Sequence, residues 1–379
     1  MPNALYVHIP FCEHICHYCD FNKVFLHGQP VEQYLTALED EMERALQNRD
    51  VPIIDSIYIG GGTPTALSVE QLNRLLTSVR RSFPRISEQV EWTVEVNPGG
   101  DLRDKLQVMF DNGVNRLSIG AQTFDETLLH KIGRTHNQTD VIETVEQAKH
   151  IGFTNLSVDL MFGLPGQTMD MFKQTLESAW KLSVEHFSAY SLKVEGKTVF
   201  FNMQRKGKLQ LPPEEEEVNM YKLLIEQMNE HQYFPYEISN FAKKGFESRH
   251  NLTYWNNDEY FGFGAGAHGY VDGVRYANVG PVTKYIQLIH NKKQPIIESH
   301  SISLREAMEE FMFMGLRKRK GVEKNLFFKR YGQSIADVYG EKIKTLKEKG
   351  WLEETEDCIR LTETGLFLSN EVFEQFLIE

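Results

Sequence analysis

The first half of this chain predicts an α/β fold: an open, partial (β/α)6 barrel of TIM-like architecture. A smaller mixed α+β, largely helical C-terminal domain is expected to follow. Three observations carry this. Six short β-rich runs alternate with amphipathic stretches over about 200 residues. A closed eight-unit barrel needs more chain than that. Beyond residue 205 the alternation stops and helical periodicity takes over.

The strand candidates are "ALYVHI", "SIYIG", "WTVEV", "RLSIGA", "NLSVDLMF" and "HFSAYSL". The stretch "SVEQLNRLLTSVRRSF" opens on Ser68 and Gln71, the pattern of a capping box. Gly113 and Gly152 sit where helix C-caps fall. Strands alternating with helices at this spacing imply right-handed βαβ units, hence a parallel sheet whose strand C-termini build the functional site. The expected domains are residues 1–205 for the barrel and 206–379 for the remainder. In the second, "LPPEEEEVNMYKLLIEQM" reads as a helix with prolines before it and glutamates in its first turn, where the dipole favours them. "GWLEETEDCIRLTETGLFLS" reads as a β-hairpin between helices, in a winged-helix-like part over about 303–379.

Composition narrows the function classes. The 379 residues are 41% hydrophobic and 25% charged, as in ordinary globular proteins. No run approaches eighteen apolar residues, and the N-terminus enters a strand without a signal-peptide pattern, so a cytoplasmic location is expected, with at most peripheral membrane contact. A formal net charge of −12 argues against a nucleic-acid partner and gives the winged-helix-like part a packing role. "RKRK" at Arg317–Lys320 is the one dense basic run; a solvated helix end is its simplest reading, an anion or membrane contact the other. "GFGAGAHG" holds G-x-G-x-x-G at Gly264, Gly266 and Gly269, but no βαβ unit surrounds it; it reads as a flexible turn near the barrel mouth.

Three of the four cysteines lie in "YVHIPFCEHICHYCDF", as C-x3-C-x2-C at Cys12, Cys16 and Cys19. Cys358, in the hairpin, reads as a small apolar residue. A zinc site could recruit His14 or His17 as a fourth ligand. Attachment of c-type haem needs C-x-x-C-H, and Asp20 follows Cys19. A [4Fe–4S] cluster on three thiolates would leave one iron open. Polar residues recur at successive strand ends: "GGGTP" over Gly60–Pro64, Glu95, Gln122, Arg134 and Asp159. A tight turn and buried ion pairs would also explain them.

The cysteine spacing, with Tyr18 before the last cysteine, resembles the signature of the radical S-adenosylmethionine (SAM) superfamily. The resemblance implies that Cys12, Cys16 and Cys19 hold a [4Fe–4S] cluster whose fourth iron takes the SAM amine and carboxylate, for cleavage to a 5′-deoxyadenosyl radical. It places Tyr18 beside the adenine and Tyr6 at the sulfonium. Gly61, Gly62 and Thr63 fall at the methionyl ammonium, and Glu95 at the ribose hydroxyls or amine. Arg134 falls at the carboxylate, with Gln122 and Asp159 at the same ligand.

"YVHIPFC", "GGGTPT", "GAQTF" and "DLMFGLPGQT" resemble the HemN/HemW branch, and the similarity runs into the C-terminal domain. HemN-type enzymes oxidatively decarboxylate coproporphyrinogen III; HemW-type haem chaperones bind haem and deliver it to targets such as respiratory enzymes. Three features favour the second. Phe21 stands where HemN-type enzymes carry a further cysteine; the barrel begins at about residue 4, leaving no room for their N-terminal extension; and "HNLTYW" at 250–255 matches the HN-x-x-YW motif of HemW-type proteins. On this resemblance His250 offers an imidazole to haem iron, Tyr254 and Trp255 offer flat faces, and His268 is a second candidate ligand. A His-Asn turn with aromatics packed between domains is the plain alternative. The implied cofactors are the cluster, SAM and haem; a cluster-dependent homodimer is a further expectation. An RNA-modifying radical SAM enzyme is the remaining competitor.

Overall fold

The computed structural model describes residues 2–47 and 52–377. Six strands run in sequence order and pair in parallel: β1 (Ala4–Ile9), β2 (Ile54–Gly61), β3 (Ile86–Val96), β4 (Arg116–Gln122), β5 (Leu156–Phe162) and β6 (His186–Ser191). Helices between them are α1 (Val31–Ala45), α2 (Val69–Ser82), α3 (Arg103–Asp111), α4 (Glu126–Lys131), α5 (Gln138–Ile151) and α6 (Met169–Lys181). Alternate strand residues such as Leu5, Val7, Ile57, Ile59, Val94, Leu117, Ile119, Val158 and Phe187 join the main core. By the two-residue period of a strand, Tyr6, Tyr58, Glu95, Ser118, Asp159 and Ser188 face the other way, into the barrel. The sequence reads as six βα units because those outer residues are apolar; the inner ones are polar because the lumen is not packed shut.

The helix boundaries follow local chemistry. Ser68 and Gln71 form the expected capping box on α2, and Asn137 with Asp140 forms another on α5. Gly113 and Gly152 follow α3 and α5 at φ +85° and +122°, a region that L side chains rarely adopt.

An open barrel leaves two unpaired strand edges. Both are covered by chain beyond residue 205. Three further strands, β7 (Phe234–Pro235), β8 (Asn240–Ala242) and β9 (Phe261–Phe263), give a nine-stranded sheet of order β9-β1-β2-β3-β4-β5-β6-β8-β7. The added strands are two or three residues long, too short to show a period in sequence. Helix α7 (Val199–Arg205) follows β6, and among the described residues the middle region then carries α8 (Glu214–Glu230), α9 (Arg249–Trp255) and α10 (Val282–His290). Residue 205 thus marks the end of the βα repeat, while the sheet runs on to Phe263 and its core to Ile289. The glutamate run starts α8 after Pro213, as its composition suggests.

Strands β10 (His268–Val271), β11 (Val274–Asn278) and β12 (Ile296–Ser301) make a small antiparallel sheet. The last part has its own core around Met308, Phe311, Phe327, Tyr339 and Ile359. It comprises α11 (Leu304–Gly315), α12 (Lys324–Tyr331) and α13 (Ile335–Glu348), with β13 (Val322–Glu323), β14 (Leu352–Glu354) and β15 (Cys358–Leu361); β14 and β15 are the expected hairpin. The basic run is not a solvated helix end. The Arg317 guanidinium lies 4.3 Å from the Trp255 ring centroid and 3.7 Å from buried Glu237, and Lys318 donates to Asn256. Its charges tie the last part to the barrel.

The glycine turn is held rather than loose. Buried Glu41, on α1, accepts from the Gly264 N–H at 2.8 Å, Asn278 Nδ2 at 2.6 Å and the Tyr285 hydroxyl at 2.5 Å. Tyr34 and Asn22 bind the same turn at Ala265. Burial pushes the Glu41 carboxyl up to about 7, against those hydrogen bonds. A raised folded-state value stabilises the protein fully below the ordinary carboxyl range, near 4.5, and that contribution is lost as pH rises through 7. Urea unfolding at about pH 5 and pH 8 tests this: in Glu41→Gln the drop in stability between the two is expected to shrink by roughly 2–3 kcal/mol. An unchanged drop would place the titration elsewhere.

Candidate functional site

The C-terminal ends of β1 to β6 open on one mouth. After β1, Phe11–Cys12 pairs in parallel with Val24–Phe25, which pins the loop between them across that mouth. Cys12, Cys16 and Cys19 are free thiols on this loop. All three line a cavity of about 400 Å³, together with Tyr18, Gly61, Gly62, Thr63, Glu95, Gln122, Arg134 and Asp159. Eleven of the twelve residues that the resemblance assigns to cluster and SAM therefore share one space; Tyr6 does not line it, nor do the haem candidates His250, Tyr254, Trp255 and His268.

A relay of hydrogen bonds ties the strand ends to the first thiol. Arg134 donates from Nη1 to Asn97 Oδ1 at 2.9 Å and from Nη2 to the Gly120 carbonyl at 2.8 Å. Asn97 Nδ2 donates to Thr63 Oγ1 at 2.9 Å, and Thr63 Oγ1 to Cys12 Sγ at 3.6 Å. Arg134 Nε is buried with no protein partner. A guanidinium held on one side with a spare N–H suits a carboxylate from a ligand.

Two carboxylates line the same cavity. Glu95 accepts from the Tyr58 hydroxyl at 2.8 Å and from the Gly61 N–H at 3.0 Å. Burial still pushes it up to about 7, with nearby Asp159 adding to the rise and Arg134 opposing it. Asp159 is raised by burial too, against hydrogen bonds from Ser188 and Ser118 and the charges of Arg116 and Arg134. Both groups would be drawn back to the ionised form by a bound cation. Gln122 holds a left-handed backbone, φ +64°, at the end of β4, a strain of the kind that collects at functional sites.

The glycines are spacing devices. A Cβ on Gly60 would lie 2.6 Å from the Glu95 carboxyl carbon, and one on Gly62 would lie 2.8 Å from the Phe11 carbonyl and 2.9 Å from that of Ile9. Burial raises the Cys12 thiol and takes Cys19 up to about 11, so these thiols stay protonated until a metal displaces the proton. Among the described residues no three His, Cys, Asp or Glu side chains converge on a point suited to a single ion. Asn97, Tyr58 and Arg116 were missed from sequence. Asn97 carried a signal, two residues past Glu95 at a strand end; Tyr58 and Arg116 look like ordinary strand residues.

A second cavity, about 680 Å³, adjoins the first. Asp20, Phe21 and Lys23 line both. Tyr6 lines the second one; its ring stacks on Tyr58 of the first, with centroids 6.2 Å apart, and its hydroxyl meets His8 Nδ1 at 2.9 Å. His250 reaches neither cavity. It is 1% exposed, with Nδ1 at 3.0 Å from Ser56 Oγ and Nε2 at 2.9 Å from the Tyr254 hydroxyl. Burial lowers it to about 3, so it is neutral with both ring nitrogens engaged. The "HNLTYW" residues lie on α9 and not in a turn: Trp255 lies under Arg317, while Tyr254 lines the second cavity and Asn251 the first.

Gly62→Ala meets rigid backbone and is expected to lose about 1–3 kcal/mol in urea unfolding. Gly340→Ala, where a Cβ meets nothing within 4 Å in the middle of α13, is expected to be neutral or to gain up to about 1 kcal/mol. Equal effects at the two positions would show that close backbone approach at the mouth is not the constraint.

Comparison with known proteins fits this geometry. Residues 6–179 match the Radical SAM superfamily, and residues 302–368 match the HemN C-terminal domain. "Heme chaperone HemW" of Bacillus subtilis is 51% identical over 99% of both chains. The protein of the same name from Lactococcus lactis is 45% identical over 100% of this chain and 98% of its own. Among solved structures, the coproporphyrinogen III oxidase HemN of Escherichia coli superposes with a TM-score of 0.87 over 99% of this chain and 90% of its own; at 24% identity that likeness concerns the fold. Full-length identity of this order, on a barrel whose mouth gathers the cysteines and polar strand ends, makes the chain a member of the HemW family within the radical SAM superfamily.

Proposed function

We propose that this protein is a haem chaperone: it binds haem and passes it to acceptor proteins, with a [4Fe–4S] cluster and SAM at the barrel mouth. The full-length relationship to proteins named heme chaperone HemW carries the cargo. Three free thiols on one cavity, with Phe21 beyond them 64% exposed and bearing no thiol, support the cluster.

In this reading Cys12, Cys16 and Cys19 hold the cluster. When bound, it supplies an electron and an iron site open to the amine and carboxylate of SAM. The chain's own residues orient that ligand. Arg134 gives its spare N–H to the carboxylate. Gly61, Gly62 and Thr63 let the methionyl end approach the backbone. Glu95 receives the ammonium or ribose hydroxyls, Asp159 and Gln122 line the far side, and Tyr18 flanks the adenine. Arg134→Lys keeps the charge but loses the fork. It is expected to weaken SAM binding to the reconstituted protein about tenfold or more by calorimetry, with unchanged iron content; unchanged affinity would remove Arg134 from the ligand's contacts.

The same proposal includes cytoplasmic location and respiratory haem proteins as acceptors; no described helix is long and apolar enough to cross a membrane. It also includes a dimer linked to the cluster, since Phe21 and Phe25, 64% and 56% exposed, put apolar surface on the cluster-bearing loop and its paired strand. Light scattering with and without iron checks the dimer.

The fold likeness to HemN keeps one rival, a coproporphyrinogen III decarboxylase. Anaerobically reconstituted protein is to be assayed for haem transfer to an apo-acceptor and for coproporphyrinogen III decarboxylation. Transfer without decarboxylation is the expected result, and clear decarboxylase turnover would overturn the chaperone reading.

A further inference from the structure

The haem-carrying reading leaves open where the haem sits, and this inference rests on that reading. A haem site needs an imidazole or similar ligand with a free nitrogen, flat apolar walls and cations for two propionates. The motif residue suggested by sequence fails the first requirement, because both ring nitrogens of His250 are engaged inside the protein.

The second cavity offers an imidazole with free nitrogens, aromatic side chains and two lysines, in a lining that also holds Asn22 and Asn278. Its volume, about 680 Å³, lies in the range of cofactor-sized pockets. Two histidines line it. His8 is 4% exposed and bonded on both nitrogens, to the Tyr6 hydroxyl at 2.9 Å and the Asn22 carbonyl at 2.7 Å. His268, at the start of β10, is exposed, and among the described residues its ring makes no hydrogen bond. Tyr254 and Tyr260 stand in the wall with ring centroids 4.7 Å apart, edge to face. Lys197 is exposed at the rim, and Lys23 is there too, already donating to the Cys19 carbonyl; Asp20 is the one carboxylate in the wall.

We propose that haem binds in this second cavity with His268 as its axial ligand, and that His250 is a positioning residue that holds Tyr254 in the wall. The HN-x-x-YW motif then serves haem binding through Tyr254, one hydrogen bond removed from its histidine. Haem so placed would abut Asp20, Phe21 and Lys23, the wall it shares with the cysteine-lined cavity.

The test is a haem titration of the full chain, read in the Soret region and by magnetic circular dichroism. Wild type is expected to show a histidine-ligated spectrum. His268→Ala is expected to bind at least about tenfold more weakly and to lose that signature. Added imidazole should restore it, and His268→Met should show a thioether-ligated spectrum instead. His250→Ala is expected to keep the histidine signature, with weaker binding that imidazole does not restore. An unaltered spectrum in His268→Ala, or imidazole rescue of His250→Ala, would overturn the assignment while leaving the haem-carrying reading intact. Absence of haem binding by the wild type would overturn both.

Discussion

Ionisable groups turned into the barrel, three from its strands and Arg134 from the loop after α4, are the constraint that the rest of this structure accommodates. Glu95, Asp159, Arg116 and Arg134 all line a cavity within the protein. Burying such groups is costly unless each is paired or hydrogen-bonded. The barrel answers with polar neighbours from adjacent strands: Tyr58 and the Gly61 N–H for Glu95, Ser118 and Ser188 for Asp159, Asn97 and the Gly120 carbonyl for Arg134. The match is incomplete. Both carboxyls are pushed upward by burial, and the Nε atoms of Arg116 and Arg134 have no partner. A lumen that holds incompletely partnered carboxyls and guanidiniums together is complementary to a zwitterion, which is what the methionyl end of SAM is.

The open barrel makes that lumen reachable and creates a second obligation. Its two edges must be closed, and β9 on one side and β8 with β7 on the other do so. The segment between β8 and β9 carries α9 and so places Tyr254 and Asn251 against the two cavities. Edge protection and construction of the mouth are thus one piece of chain. The Arg317–Trp255 stack and the Lys318–Asn256 bond extend the same brace to the last part of the molecule.

Much of this was legible in the sequence. Cysteine spacing, glycines after β2 and isolated acids in apolar strands each mark a local requirement that one residue type satisfies, and such requirements survive without coordinates. Four things were not legible. Tyr58 and Arg116 are site residues only because of the strands beside them. The edge strands are too short to have a pattern. The motif histidine looks like a ligand until its two nitrogens are found bonded to Ser56 and Tyr254, partners 194 and 4 residues away. Tyr6 likewise faces the neighbouring cavity, a matter of side-chain direction that its distance from Cys12 in sequence does not fix.

The central claim is that three thiolates hold a cluster with one iron left for SAM. Mössbauer spectroscopy of anaerobically reconstituted, 57Fe-labelled protein, with and without SAM, tests it most directly. The account predicts a [4Fe–4S] signal in which one iron becomes distinct when SAM is added while the other three stay unchanged. A spectrum that SAM leaves unaltered, or protein that takes up zinc and no iron–sulfur cluster, would contradict it.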